Sequence, residues 1–167
     1  DKFARPKISI NVNGKIVTTT IPISGEKNVL NFTASFAIAS ELGLINLQIL
    51  KAVKKIKSYN KRLEIKNHKS FTLINDTYNA NPDSMKSSLE ILSKIEKRKR
   101  KIAVLGDMFE LGAESKNKHL ELANVINKTN VNEVYTIGQM MKLMNQKLNG
   151  KTKIHVHFND RESLKKH

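Results

Sequence analysis

The residues best suited to chemistry lie in one short stretch, residues 71–85, with the sequence FTLINDTYNANPDSM. An apolar run from Phe71 to Ile74 stops at Asn75-Asp76. A new amphipathic segment begins at Pro82. This pattern predicts a buried strand, a polar loop and a helix with proline in its first turn. Ligands of open α/β sheets bind beyond the carboxyl ends of strands. The loop therefore offers a carboxylate, a phenol and three amides where a ligand would bind: Asp76, Tyr78, Asn75, Asn79 and Asn81.

The second part of the chain alternates short apolar runs with amphipathic segments, which predicts a parallel sheet with covered faces. Right-handed crossovers make this a doubly wound, Rossmann-like α/β domain. The predicted strands are Phe71–Ile74, Ile102–Leu105, Val134–Ile137 and Ile154–Phe158, and the predicted helices are about Asp83–Lys97, Ser115–Lys128 and Gln139–Leu148.

The first part of the chain has a different pattern. Two β-prone runs, residues 7–12 and 15–23, flank an Asn-Gly pair, which predicts a hairpin. A largely buried helix is predicted from Asn28 to Leu42, with Gly43 as its C-terminal cap, and a second helix from about Leu47 to Ile56. We expect a boundary within residues 57–62, and hence one unit over residues 1–58 and another over residues 59–167 that is truncated at its end.

Composition limits the function classes. The chain has 167 residues, no cysteine and a formal charge of +15. The absence of cysteine excludes disulfides and thiolate zinc sites, and no apolar run is long enough to span a bilayer. The N-terminus does not resemble a signal peptide. The charge allows a nucleic-acid-binding module. The basic residues cluster at Lys51, Lys54, Lys55 and Lys57 and again from Lys97 to Lys101, and both clusters are expected to be solvated, because no aromatic residues interleave with them.

Several polar residues have both a functional and a structural interpretation. Asn28 and Asn31 share a helix face and can present amides to a heterocycle, or one of them can cap the helix. Arg62 can bind phosphate or lie on the surface. Asp76 can hold ribose hydroxyls or close an Asx-turn. His119 is expected to be structural.

Two further sequence patterns concern metal binding and nucleotide binding. His155 and His157 share one strand face, but we reject a metal site because no third ligand is apparent. The Gly-x-x-x-x-Gly-Lys-Ser/Thr phosphate-binding loop does not occur in the sequence. The chain therefore carries no recognisable catalytic residue of its own.

Taken in order and spacing, four segments resemble the Mur ligases of peptidoglycan synthesis: GEKNVLN at 25–31, KRLE at 61–64, NDTYNANPDSM at 75–85 and VLGDMFELG at 104–112. The resemblance implies the hairpin-and-helices end of a P-loop-type central domain, followed by most of a Rossmann-like C-terminal domain. It implies an ATP-dependent, cytoplasmic ligase that acts as a monomer. The string Tyr-Asn-Ala-Asn-Pro points to addition of D-alanyl-D-alanine to UDP-N-acetylmuramoyl-tripeptide through an acyl phosphate.

Residue roles follow from the same resemblance. Asn28 and Asn31 would contact adenine, Arg62 the phosphates and Asp76 the ribose. The peptide and dipeptide pocket would be shaped by Tyr78, Asn79 and Asn81. The ligands of Mg²⁺ would lie outside this chain, as would the phosphate-binding loop. The sequence departs from the family at Lys27, where His is usual, and at Asn75, where Asp is usual.

Two other classes remain open. The charge allows a basic nucleic-acid-binding module, and the predicted fold allows a non-catalytic Rossmann-like interaction domain. Salt-sensitive binding to bare DNA would indicate the first class. A protein that binds no nucleotide would indicate the second.

Overall fold

The computed structural model of the chain describes residues 5–58, 61–95, 99–149 and 152–167. Two small antiparallel sheets precede a three-stranded parallel sheet. The elements in chain order are β1 (Lys7–Val12), β2 (Lys15–Thr20), α1 (Lys27–Glu41), α2 (Asn46–Val53), β3 (Glu64–Asn67), β4 (Thr72–Asn75), α3 (Pro82–Lys94), β5 (Ile102–Gly106), α4 (Ser115–Asn127), β6 (Glu133–Ile137), α5 (Gln139–Asn145), β7 (Ile154–Phe158) and α6 (Arg161–Lys166).

The predicted hairpin is confirmed. Strands β1 and β2 pair antiparallel, with Val12 opposite Lys15 and a two-residue turn between them. Both turn residues, Asn13 and Gly14, have positive φ, 49° and 80°. This is the backbone twist that suits a tight hairpin and that Asn-Gly adopts readily.

Helix α1 is less buried than predicted. Only Phe32 and Phe36 are buried on it, and they pack with residues of the hairpin and of α2 in a core of Ile21, Phe32, Phe36, Ile49 and Val53. Leu30 is 72% exposed and Ile38 is 62% exposed. The prediction was wrong because α1 is apolar on more than one face, whereas the described residues cover one face. Gly43, at φ +85°, follows the helix end as predicted.

Strand β4 was predicted as a strand of the parallel sheet, and that assignment is wrong. It pairs antiparallel with β3, with Asn75 opposite Glu64, in a separate two-stranded sheet. The sequence pattern did not reveal β3, because Glu64–Asn67 is short and mostly polar. The polar loop thus follows a strand end, but not one at the edge of the parallel sheet.

The parallel sheet confirms the Rossmann-like expectation. Strands β5, β6 and β7 lie side by side in chain order, connected through α4 and α5. Helices α3, α4 and α5 pack around one core, which includes Leu89, Ala103, Leu122, Ile126, Val134, Met141 and Met144. A sheet face covered by amphipathic helices is the expected outcome of the strand–helix alternation.

The remaining differences concern element ends. Helix α3 ends at Lys94, earlier than predicted, and residues 96–98 lie outside the described residues. Helix α5 ends at Asn145 and β2 at Thr20, also earlier than predicted. Residues 59–60 lie outside the described residues as well, so the boundary at 57–62 stays a prediction. None of the helices seen in the described ranges is long and apolar enough to cross a membrane.

Candidate functional site

The loop between β4 and α3 is fixed by its own amides. The Oδ1 of Asn81 accepts a hydrogen bond from Ser84 N at 2.9 Å, and Asn81 N donates to Ser84 Oγ at 3.1 Å. This reciprocal pair is a capping box at the start of α3. Asn79 Oδ1 accepts from Ala80 N at 2.9 Å. Pro82 occupies the first turn, as predicted. Two of the predicted binding amides therefore also hold the loop in shape.

Asp76 connects three elements. Its Oδ1 accepts a hydrogen bond from Leu63 N at 2.9 Å, and its Oδ2 accepts one from the hydroxyl of Ser88 on α3. These partners lie far along the chain, so the carboxylate ties α3 to the segment before β3 instead of closing an Asx-turn. A carboxylate can accept about four hydrogen bonds. Asp76 therefore retains acceptor capacity for a ligand.

The segment Lys61–Leu63 lies directly against this loop. Tyr78 N donates to Lys61 O at 3.0 Å, and the Arg62 guanidinium carbon lies 4.1 Å from the centroid of the Tyr78 ring. Lys61 and Leu63 both have positive φ, 61° and 47°. A bulky residue in this region is an outlier that the surroundings must hold. Arg62, Asp76 and Tyr78 therefore form one cluster.

The N-terminal end of α1 approaches the same cluster. A Cβ placed on Gly25 would lie 3.6 Å from Leu63 Cδ1 and 3.3 Å from Ile91 Cδ1. Asn28 Nδ2 donates to Ser24 O at 2.7 Å, which leaves its carbonyl oxygen as an acceptor. Asn31 is exposed. The two predicted adenine contacts, Asn28 and Asn31, therefore both lie on α1. The segment before this helix packs beside Leu63, the residue that follows Arg62.

Two ion pairs join the start of α1 to both ends of α3. Lys27 Nζ lies 3.0 Å from Asp83 Oδ2, and Lys94 Nζ lies 3.7 Å from Glu26 Oε1. All four side chains are largely exposed, so each pair contributes little to stability. The pair with Asp83 gives Lys27 a structural partner at the position where the sequence departs from the resembled family.

The loop after β5 is anchored on both sides. Asp107 accepts hydrogen bonds from Met140 N at 3.3 Å and Met141 N at 2.7 Å, at the start of α5. His119 is fully buried, and its Nε2 accepts from Met108 N at 2.9 Å while its Nδ1 lies 2.6 Å from Ser115 O. The second contact requires a proton on Nδ1. The structural role predicted for His119 is confirmed.

His155 and His157 share one face of β7, as predicted, and both belong to a polar network beneath α5. His155 Nδ1 lies 3.0 Å from Asn145 Oδ1, and Asn145 Nδ2 donates to Thr136 Oγ1 at 3.1 Å. His157 Nδ1 lies 3.1 Å from the same threonine oxygen. Burial, reinforced by the charge of Lys142, lowers the pKa of His157. No group of three His, Asp or Glu side chains able to hold a metal occurs in the described ranges.

Among the described basic residues before β5, Lys99 and Arg100 are exposed as predicted, whereas Lys101 is not. Lys101 is buried, and its ammonium donates to Ser93 O and to Asn130 Oδ1. Arg100 forms a two-armed pair with the buried carboxylate of Glu133, with Nη2 to Oε2 at 2.8 Å. The prediction was wrong for Lys101 because this residue lies directly before β5, where the Ser93 carbonyl and the Asn130 side chain can accept hydrogen bonds from its ammonium. Residues 97 and 98 lie outside the described residues, whereas lysines 51, 54, 55 and 57 are exposed as expected.

The Arg100 pair has an electrostatic consequence. Hydrogen bonds from Arg100 and then from the Tyr135 hydroxyl, at 2.7 Å, lower the pKa of Glu133 to about 2. The carboxylate is therefore charged at neutral pH. Its position at the amino end of β6 is away from the candidate site, and its role is structural.

The structure thus brings together Arg62, Asp76 and Tyr78, with Asn79 and Asn81 in the same loop. Two grooves found among the described residues lie elsewhere: one runs between α3 and α4, and the other between the start of α1 and α3. Neither is lined by a residue that the sequence singled out for binding.

Solved structures of MurF have a similar fold. MurF from Acinetobacter baumannii matches 97% of this chain and 35% of its own chain, with a TM-score of 0.84 and 26% sequence identity. A MurF ligase from Thermotoga maritima, solved in complex with ADP, has a TM-score of 0.76, covers 98% of this chain and 36% of its own, and at 23% identity supports the fold alone.

The sequence itself gives the family. The family described as "Mur ligase, glutamate ligase domain" matches residues 61–167, so the chain belongs to the Mur ligases. The UDP-N-acetylmuramoyl-tripeptide–D-alanyl-D-alanine ligase of Bacillus subtilis is 36% identical over 124 residues, which are 74% of this chain and 27% of that enzyme. The chain therefore spans less than a third of the length of this relative.

Sequence reasoning missed two members of the cluster. Ser88 was not singled out, because a serine in the middle of a helix carries no motif, and its partner lies 12 residues away. The backbone N–H of Leu63 has no signature in the sequence at all. The capping role of Asn81 had a usable signal, because an Asn followed three residues later by Ser resembles the spacing of a capping box.

Proposed function

We propose that this chain is the adenine- and ribose-contacting end of an ATP-dependent ligase that adds D-alanyl-D-alanine to UDP-N-acetylmuramoyl-tripeptide. The observation that carries the proposal is the cluster of Arg62, Asp76 and Tyr78 inside the loop Tyr-Asn-Ala-Asn-Pro. The names of the relatives support the substrate assignment. Monomeric state and a cytoplasmic location are part of the same proposal.

The nucleotide roles rest on the chemistry that these side chains retain. The flat face of the Arg62 guanidinium lies on Tyr78, and the N–H groups at its edge can donate to phosphate oxygens. Asp76 can accept ribose hydroxyls in addition to its present donors. The free acceptor of Asn28 and the exposed amide of Asn31 suit the edge of adenine.

The described residues do not hold Mg²⁺ by a cluster of three acidic or histidine side chains. We therefore assign the Mg²⁺ ligands and the phosphate-binding loop to the part of the relatives' length that this chain does not span. In the proposed reaction the substrate carboxylate takes the γ-phosphoryl group, and the amine of the dipeptide then displaces phosphate to form the amide. The residues of this chain position nucleotide and peptide and transfer no proton.

The exposed apolar face of α1 supports the proposal that this chain is part of a larger ligase. Its exposed Leu30 and Ile38, with Leu42 and the residues Leu44, Ile45 and Leu47 between α1 and α2, form an apolar surface that is unusual for a free-standing unit. We assign this surface to packing against the remainder of the central domain. The proposed domains, residues 1–58 and 59–167, follow from the same assignment.

The test is release of phosphate from ATP in the presence of magnesium, UDP-N-acetylmuramoyl-tripeptide and D-alanyl-D-alanine. The complete protein should release phosphate only when both substrates are present, whereas the 167-residue chain alone should release none above background. Turnover by this chain alone would contradict the proposal, as would a complete protein that hydrolyses ATP without forming the amide.

A further inference from the structure

The two residues on either side of Arg62 have an uncommon backbone conformation. Lys61 and Leu63 both lie at positive φ, although neither is glycine. Such residues keep this conformation only when surrounding contacts over-determine it. The position of the Arg62 guanidinium is set by this strained segment, so whatever holds the segment also places the guanidinium.

Among the described residues, three contacts to the Asp76–Tyr78 loop hold the segment, and the contact made by Asp76 depends on a further residue. Lys61 O accepts from Tyr78 N at 3.0 Å, the guanidinium stacks on the Tyr78 ring, and Leu63 N donates to Asp76 Oδ1 at 2.9 Å. The other oxygen of Asp76 is held by the hydroxyl of Ser88. A hydrogen bond to a charged acceptor is stronger than one between neutral groups.

Ser88 is suited to this task by its place in the fold. It lies on α3 between Met85 and Leu89, which are both buried in the core of the second unit. Its hydroxyl also lies 3.0 Å from Ser84 O, one turn earlier in the helix. The Ser88 hydroxyl is therefore held in place by a helix that packs on the core, and it directs the Asp76 carboxylate toward Leu63.

We propose that Ser88 is a positioning residue, which holds Asp76 so that Leu63 N–H stays bound and the guanidinium of Arg62 is presented to an anionic ligand. The identification of that ligand as the ATP phosphates rests on the proposed function. If the hydroxyl of Ser88 served only to bond Ser84 O within the helix, its removal would not reach Arg62.

The experiment uses the complete ligase and three replacements of Ser88. Thr keeps the hydroxyl, Val has the shape of Thr without it, and Ala removes it with the least bulk. Ser35→Ala is the matched control, because the Ser35 hydroxyl also bonds the carbonyl four residues earlier in a helix, at 2.9 Å. The apparent KM for ATP and kcat are measured at saturating concentrations of the other substrates.

We expect Ser88→Ala and Ser88→Val to raise the KM for ATP about three- to tenfold, the range expected for loss of one net hydrogen bond. Ser88→Thr and Ser35→Ala should stay within about twofold of the unmodified enzyme. In an Arg62→Ala background, Ser88→Val should raise the KM for ATP by less than it does in the unmodified enzyme, because the part of its effect that acts through Arg62 is already lost and only the part that acts through the ribose contact of Asp76 remains.

An equal effect of Ser88→Val with and without Arg62 would overturn the proposal, and so would an unchanged KM. Hydrogen exchange at the Leu63 amide gives a readout that does not depend on activity. Faster exchange in Ser88→Val than in Ser88→Thr supports the positioning, and equal exchange overturns it. A complete protein that joins no dipeptide would refute the proposed function, while the exchange result would still decide the role of Ser88.

Discussion

Replacement of Gly138 by alanine tests how the loop after β5 and the start of α5 are held together. Gly138 has φ +107° and ψ 154°, a region that is almost reserved for glycine. A Cβ at this position would lie 2.3 Å from Asp107 Cγ and within 2.5 Å of both carboxylate oxygens. The carboxylate would have to leave, and with it the hydrogen bonds to Met140 N and Met141 N.

The expected cost has two parts. The backbone conformation costs a residue other than glycine about 1–3 kcal/mol. Displacing Asp107 removes two hydrogen bonds to a charged group, each worth about 1.5–3 kcal/mol, although α5 can recover part of that loss from water. We therefore expect Gly138→Ala to lower the free energy of unfolding of the second unit by about 3–6 kcal/mol, which is a large share of the stability of an ordinary domain.

The measurement is urea unfolding followed by circular dichroism, since the chain has no tryptophan. Gly112→Ala is the control within the same unit, because Gly112 has φ +53° but nothing within 4 Å of its would-be Cβ. It should cost only the backbone part, about 1–2 kcal/mol. Introducing Asp107→Ala first should remove most of the additional cost of Gly138→Ala. If Gly138→Ala were no more damaging than Gly112→Ala, the collision with Asp107 would be refuted.

Three further predictions concern named side chains. In the complete protein, Asp76→Ala should raise the apparent KM for ATP about tenfold to a hundredfold, because hydrogen bonds to a charged group are worth about 1.5–3 kcal/mol; an unchanged constant would mean that neither Asp76 nor the Leu63 segment that it holds contributes to ATP binding. Because the pKa of Glu133 falls from 4.5 to about 2 on folding, its contribution is complete above pH 4.5 and is lost as the pH falls toward 2. Glu133→Gln should therefore lower stability by about 2 kcal/mol at pH 7 and flatten the acid limb in urea titrations; an equally steep limb would contradict this. Because burial lowers the pKa of His157, the unfolded chain binds its proton first, so stability should fall as the pH drops through about 6.5; His157→Gln should reduce that fall, and a variant with the same pH profile would exclude His157 as its source.

The sequence predicted the type of most elements because their signals are local. The Asn-Gly hairpin, the Gly43 cap and the proline at the start of α3 each depend on a few neighbouring residues, and all three are confirmed. The parallel strands carried short apolar runs, which are typical of a sheet with covered faces, although Ile102, Val104 and Ile154 on β5 and β7 are exposed in the structure. Strand β4 was placed in the wrong sheet because its partner β3 is polar and short, and pairing between distant segments leaves no local pattern.

Only part of the candidate site was predicted, again because contacts between distant segments leave no local pattern in the sequence. Its residue types and their order along the chain were visible, whereas the contacts that organise them were not. The bond from Leu63 N to Asp76 spans 13 residues, and the one from Ser88 spans 12. The prediction for the basic residues was wrong at Lys101. The sequence predicts a solvated lysine, but in the structure the residue is buried against Ser93 and Asn130.

The proposed binding residues are divided between the two proposed units, residues 1–58 and 59–167, and the structure has a separate hydrophobic core in each part of the chain. Asn28 and Asn31 belong to the first unit, Asp76 and Tyr78 belong to the second, and Arg62 lies at the start of the second beside their junction. The ion pairs across the junction are exposed and hence weak. Gly25, at φ +99°, approaches Ile91 and Leu63 so closely that a Cβ on it would lie 3.3 Å and 3.6 Å from their Cδ1 atoms. Because Leu63 also donates its N–H to Asp76, the residue that meets the first unit is the one that anchors Arg62. A shift of α1 relative to α3 would therefore be transmitted to the Arg62 guanidinium through Leu63.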